Sequence, residues 1–136
     1  MLVIFCLRIN AQNYNPIQKN PFSLTTIPPY NSIIAFADLD GDSDLDIMSG
    51  SQSGDYYYFE NIGTASSPSF ASFQKNPFSL TKIPDYISTT AFADLDGDGD
   101  LDLISGSQSG DYYYYKKNGT ASSPSFASFQ KNPFSL

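Results

Sequence analysis

The sequence predicts an all-β fold of antiparallel four-stranded sheets, and three observations predict it. Residues 18–73 align with residues 74–129 without a gap, at a period of 56, and 44 of the 56 positions are identical. Repeats of this length mean solenoids, propellers or arrays. No window keeps a helical apolar period, whereas Gly, Pro and Ser interrupt the chain roughly every 8 to 12 residues. Each repeat also carries short runs of Ile, Phe and Tyr, which suit a pleated, half-buried surface. Four short strands per unit, recurring at about 40–60 residues, describe a β-propeller blade. The chain holds about two blades: after a lead-in at 13–17 come repeats 18–73 and 74–129, and a third starts at 130–136 in the phrase Gln-Lys-Asn-Pro-Phe-Ser-Leu. A propeller closes with about four to eight blades, so the expectation is a fragment of a larger propeller that lacks further blades, a partner that completes the ring, or a marginal fold. The ending in mid-repeat reads as a fragment or a truncated reading frame.

Residues 1–12 are a short apolar run ending in Asn10-Ala11-Gln12. The run is shorter than the about 20 apolar residues that span a membrane. Two readings of it stand. One is a truncated signal peptide with small Ala11 before the cleavage point, opposed by the missing basic start and by Arg8. The other is a buried strand or a spurious start. Removing a leader would also remove Cys6, the only cysteine, and with it any role for disulfides.

Within each repeat the first strand is expected at 33–37 (89–93 in the second copy), short and apolar. The second is expected at 46–49 (102–105), with Leu45 and Leu101 just before it tucked inward as hydrophobic anchors. The stretch from Gly50 to Gly54 supplies hairpin chemistry. The third strand is the aromatic run 56–59 (112–115), and aromatics on both faces imply that both faces are covered. The Gly63-Thr64-Ala65-Ser66-Ser67-Pro68 linker then turns into a fourth strand at 69–73, carrying Phe70 and Phe73. The tyrosine runs read as blade-to-blade packing, with a stacking platform for sugars as the alternative.

Between the first two strands lies Asp38-Leu39-Asp40-Gly41-Asp42-Ser43-Asp44-Leu45-Asp46, which returns as Asp94-Leu95-Asp96-Gly97-Asp98-Gly99-Asp100-Leu101-Asp102. Asp38, Asp40, Asp42, Asp44 and Asp46, and likewise Asp94, Asp96, Asp98, Asp100 and Asp102, take alternate positions. Five carboxylates so crowded repel one another unless a hard cation relieves them. Ca²⁺ takes six to eight oxygens at about 2.3–2.6 Å in flexible geometry, whereas Mg²⁺ demands a near-octahedral shell and keeps several waters. With no His and one Cys, zinc and copper lack their usual ligands. The loops hold ten of the 14 acidic residues, the others being Asp55, Glu60, Asp85 and Asp111. Two bound Ca²⁺ would move the net charge from −7 to −3. The acidity therefore reads as ion capacity, and it argues against nucleic acid, whose binders carry basic patches. Without His, no Ser–His or Cys–His catalysis is available within the chain. Carboxylate pairs for glycoside hydrolysis are compatible with the composition, but every close pair is claimed by the loops. The chain is expected not to be an enzyme.

Phe36-Ala37-Asp38-Leu39-Asp40-Gly41-Asp42, Asp44-Leu45-Asp46-Ile47, Gly50, Tyr58, Asn61, Gly63-Thr64 and Pro68-Ser69-Phe70 resemble the FG-GAP/VCBS repeat, which builds the β-propeller of integrin α-chains and of many secreted bacterial proteins. The resemblance covers nearly the whole chain after Tyr14. It implies that each acidic loop joins the first two strands of a blade and holds Ca²⁺. The side chains of Asp38, Asp40, Asp42 and Asp46 with the carbonyl of Asp44 would form one site. Asp94, Asp96, Asp98 and Asp102 with the carbonyl of Asp100 would form the other.

Two departures stand out. The sixth loop position favours Gly because its φ is positive; Gly99 keeps this and Ser43 does not. The cost, about 1 kcal/mol or more, predicts a weaker first site. Lys116-Lys117-Asn118 replaces Glu60-Asn61-Ile62, so the second copy loses the Asn that follows the aromatic strand and is expected to turn differently. Asn118-Gly119-Thr120 matches an N-glycosylation acceptor missing from the first copy. Together these features predict a secreted, extracellular or cell-surface calcium-binding fragment, structural or engaged in adhesion and recognition of an extracellular protein or polysaccharide. Two alternatives remain. One is the non-catalytic propeller of a secreted polysaccharide-degrading enzyme, which a catalytic domain in a longer reading frame would reveal. The other is a spacer array without a ligand.

Overall fold

The computed structural model describes residues 16–28 and 32–135, so the expectations for residues 1–12 and Cys6 lie outside the described residues. Short strand-forming runs cut by turns give two four-stranded antiparallel sheets, each with its strands in chain order. The first contains β1 (Ile33–Ala37), β2 (Asp46–Gly50), β3 (Tyr56–Phe59) and β4 (Gln74–Lys75). The second contains β5 (Ala91–Ala93), β6 (Asp102–Gly106), β7 (Tyr112–Tyr115) and β8 (Gln130–Lys131), followed by a 3-10 turn at Pro133–Ser135. The described residues contain no α-helix. The fold is all-β, two antiparallel four-stranded blades, as the repeat pattern predicts. Ala37 pairs with Asp46 and Ala93 with Asp102, so each acidic loop closes the hairpin between the first two strands of its blade.

The fourth strand is not where the sequence places it. Of residues 69–73 only Phe70 bridges, to Asn61, while the outer strand is Gln74–Lys75, paired with Tyr58 and Tyr57. The reason is packing. Phe73 stacks edge-on against Tyr57 at 5.1 Å and Phe59 at 5.9 Å, and the Phe70 N–H donates to Phe22 O, which commits this stretch to the core. The opening of the next repeat then forms the edge. A clasp holds it: Asp55 accepts from Asn76 Nδ2 at 2.8 Å and Ser53 Oγ at 2.6 Å and pairs with Lys75 at 3.0 Å. The same clasp recurs at Asp111 with Asn132, Ser109 and Lys131. There Lys131 first, then Asn132 and Ser109, hold the Asp111 carboxyl down at about 2.

Two further expectations are corrected. Leu45 is 56% exposed and Leu101 37%; the anchor of the first loop is Leu39, 1% exposed, because its N–H is pinned to Asp46 and its side chain turns under the hairpin. The first strand of the second copy covers Ala91–Ala93 rather than 89–93. Thr90 there donates through Oγ1 to Ile33 O and Met48 O of the preceding blade, both at 3.1 Å, so the residue bridges blades instead of extending β5. The turn after β7 keeps its bridges despite the substituted residues: Lys117 with Phe126 and Thr120 with Ser123 repeat Asn61 with Phe70 and Thr64 with Ser67. The bonds that Asn61 Oδ1 accepts from the Gly63 and Ser69 N–H groups give way to a Gly119 N–H bond to Ser125 O. Asn118 and Thr120 are exposed on this turn.

Period-two alternation splits the aromatic run. Met48, Tyr56 and Tyr58 face the second sheet and pack with Leu80, Ile83, Leu103, Tyr113 and Tyr115. Ile47, Tyr57 and Phe59 form a second cluster with Ile27 and Phe70. Tyr56 meets Tyr115 edge-on at 5.7 Å, and Tyr58 meets Phe78 at 4.8 Å, pairs worth about 0.5–1.5 kcal/mol beyond their burial. The tyrosines thus serve packing between blades. On the far face of the second sheet Tyr112 is 46% exposed where its equivalent Tyr56 is buried, while Tyr114 stays buried like Tyr58.

Candidate metal centres

Both acidic loops are built by the same rules. Asp38 accepts through Oδ1 from the Gly41 N–H at 2.7 Å and through Oδ2 from the Ser43 N–H at 3.0 Å. Asp40 accepts from the Asp42 N–H at 3.2 Å and Asp42 from the Asp44 N–H at 2.8 Å. The second loop repeats this with Asp94 on Gly97 and Gly99, Asp96 on Asp98, and Asp98 on Asp100. Such bonds curl the backbone around one centre, and the tight turn requires positive φ: +83° at Gly41, +75° at Ser43, +80° at Gly97 and +93° at Gly99. Ser43 therefore holds the strained conformation that its position demands.

The last aspartate of each loop is wholly buried. Asp46 accepts from the Leu39 N–H at 3.1 Å and from the Asn61 N–H at 2.8 Å. Asp102 accepts from the Leu95 N–H at 3.3 Å, the Lys117 N–H at 2.9 Å and the Tyr114 hydroxyl at 2.9 Å. Burial pushes the Asp46 carboxyl above its ordinary value, and Asp40 adds repulsion, while the two N–H donors pull the other way.

Asp38, Asp40 and Asp42 each offer an oxygen within 4.8 Å of the others, and so do Asp94, Asp96 and Asp102. Oxygens on opposite sides of a Ca²⁺ stand about 4.6–5.2 Å apart, given its bond lengths, so both sets fit an ion of that size and can hold a metal. Asp44 and Asp46 stand outside the first set, and Asp98 and Asp100 outside the second. Both of the latter meet a lysine, and so does Asp96. Lys116 Nζ contacts Asp96 and lies 2.8 Å from Asp98, and Lys117 Nζ lies 3.3 Å from Asp100. The Lys116 hydrogen bond holds the Asp98 carboxyl below its ordinary value, and Asp96 and Asp98 hold the Lys116 ammonium above its own. The sequence registers these lysines as a departure in the repeat; that they turn into the loop depends on the register of β6 against β7.

Repeated four-stranded blades with an acidic loop at the first hairpin define a propeller-type repeat protein. The FG-GAP-like repeat model matches residues 38–105, half of the chain, and the chain belongs to that family. No curated protein and no solved structure matches it. No helix among the described residues is long and apolar enough to cross a membrane.

Proposed function

We propose that this chain is a calcium-stabilised piece of a secreted β-propeller, a non-catalytic module for structure, adhesion or recognition at the cell surface or beyond. One observation carries the calcium reading: three carboxylates converge within 4.8 Å in each loop although nothing in apolar packing requires them there. Ca²⁺ would sit among Asp38, Asp40, Asp42 and Asp46, and among Asp94, Asp96, Asp98 and Asp102, with the carbonyls of Asp44 and Asp100 as further ligands. Its chemistry there is charge neutralisation and cross-linking of a hairpin corner. An extracellular protein or polysaccharide is the ligand class this reading favours. The propeller of a secreted polysaccharide-degrading enzyme is the second reading, favoured by the absence of His and by the commitment of the carboxylates to the loops.

Binding to the folded state stabilises it by about 2.7 kcal/mol at a hundredfold excess over Kd. Thermal unfolding of the chain in millimolar Ca²⁺ is expected several degrees above that in chelator; coincident transitions would end the calcium reading.

The far face of the second blade supports stacking of further blades. Leu95 is 37% exposed where Leu39 is buried, and a Cβ on Gly97 or Gly110 meets nothing within 4 Å, whereas one on Gly41 or Gly54 meets the neighbouring blade. A chain extended after Leu136 by another copy of residues 81–129 is therefore expected to melt higher than the 136-residue chain. An unchanged or lower transition would count against stacking on this face.

A further inference from the structure

The two loops share all their acidic positions but differ in their surroundings. Directly after β7 come Lys116 and Lys117; the equivalents after β3 are Glu60 and Asn61. Lys116 Nζ contacts Asp96 and Asp98. Lys117 is only 6% exposed, its Nζ lies 3.3 Å from Asp100 and its N–H holds Asp102. In the first copy Asn61 directs its side-chain oxygen to the Gly63 and Ser69 N–H groups instead, and no ion pair to the first loop occurs among the described residues. The third residue of the first loop's converging set is Asp42, with Asp46 outside it; in the second loop the third is Asp102, with Asp98 outside.

We propose that Lys116 and Lys117 are built-in counter-cations of the second loop, so that the first loop takes a divalent cation more tightly and the second loads only once Lys116 has swung away. The proposal rests on the calcium reading and deepens it. A cation entering the first loop meets carboxylates held by backbone N–H groups alone. One entering the second must first break charge-assisted hydrogen bonds to two ligands, and these are the strong class of hydrogen bond. Lys116 is half-exposed and long, so it can retreat into water. Lys117 has no comparable route, because its side chain is buried. Asp100 would serve the loop through its carbonyl, which would leave its carboxylate with Lys117 and a positive charge beside the loaded ion.

Cover acts in the same direction. A Cβ on Gly41 would stand 2.6 Å from Ala121 Cβ, whereas Gly97 faces open space. Asp38 and Asp40 are accordingly half-buried and Asp94 and Asp96 exposed, so attraction to an ion is less screened in the first loop. The strain at Ser43, from which the sequence alone predicts a weaker first loop, does not set the order. Its φ of +75° lies near the +93° of Gly99, and the Asp38 carboxylate holds that turn through the Ser43 N–H, so the cost belongs to folding of the loop.

The test is calorimetric titration of the full chain with Ca²⁺, each event assigned by Asp38→Asn or Asp94→Asn. Two events are expected, the second loop weaker by about tenfold or more, a difference of about 1.4 kcal/mol per decade. Lys116→Gln, a change on a half-exposed side chain, should tighten the second loop severalfold and leave the first unmoved. Lys116→Glu with Lys117→Asn, which restores the first-copy residues, should tighten it further. Equal loops, a tighter second loop, or an inert Lys116→Gln would overturn the proposal while the calcium reading stands. No binding at either loop would overturn both.

Discussion

Asp46→Ala is expected to lower stability by about 3 kcal/mol or more, even in chelator. The carboxylate is wholly buried and accepts from the N–H groups of Leu39 and Asn61. Each buried donor left without a partner costs about 1–3 kcal/mol, and alanine orphans two. One lies in the loop and one after β3, so the change loosens both ends of the hairpin corner. Asp38→Ala is the comparison. Its two acceptor bonds, to Gly41 and Ser43, lie in exposed backbone that water can satisfy, so in chelator its cost should stay near 1 kcal/mol, typical of an exchange of protein for water bonds. Urea unfolding in chelator measures both. Similar losses for the two variants would mean that the loop's base is no more structural than its rim. The comparison also separates the two duties of Asp46, because chelator removes any share that belongs to a bound ion.

Gly50→Ala is the second large effect, expected at about 3 kcal/mol, at the upper end of the range for inserting an atom into a packed interior. A Cβ at Gly50 would stand 2.0 Å from Ser88 O and 2.6 Å from Ser88 C. This is backbone, and it is tied down. The Ser88 N–H donates to Ser51 O at 2.9 Å, Ser88 Oγ accepts from the Ser51 N–H at 2.9 Å, and that hydroxyl donates to Asp55 O at 2.9 Å. Relief would require the junction between the blades to shift. The equivalent Gly106→Ala meets only Thr89 Oγ1 at 3.2 Å, a side-chain atom that can give, and should cost less than about 1 kcal/mol by the same reckoning. Identical residues in nearly identical repeats thus make a matched pair. Equal denaturation midpoints for the two variants would contradict the assignment of Gly50 to the blade junction.

The legible part of this fold was whatever depends on period and local chemistry. Tyr56–Phe59 and Ile33–Ala37 are strands at the predicted positions because β-branched and aromatic runs bounded by turn residues have no competing periodicity. The acidic loops were legible because alternating carboxylates at a turn have few other uses. The outer strand was not, since Gln74–Lys75 carries no strand signal and becomes one only because Tyr57 and Tyr58 leave an edge open beside it. Leu45 and Leu39 were indistinguishable by type; Asp46 holds the Leu39 N–H and so decides which leucine goes under the hairpin. Lys116 and Lys117 were visible as a break in the repeat, but not as cations of the loop, because the contact spans two strands.

By itself the chain of residues determined the repeat, the all-β class and the ten aspartates, since those follow from spacing and composition. Tertiary structure alone decided which copies of identical residues are covered. Tyr56 is buried and Tyr112 half-exposed, a difference that lies in the neighbour and not in the residue. It likewise decided that two loops with the same aspartates differ electrostatically. Charge acts through space, and the lysines reach the second loop only when β6 and β7 are paired.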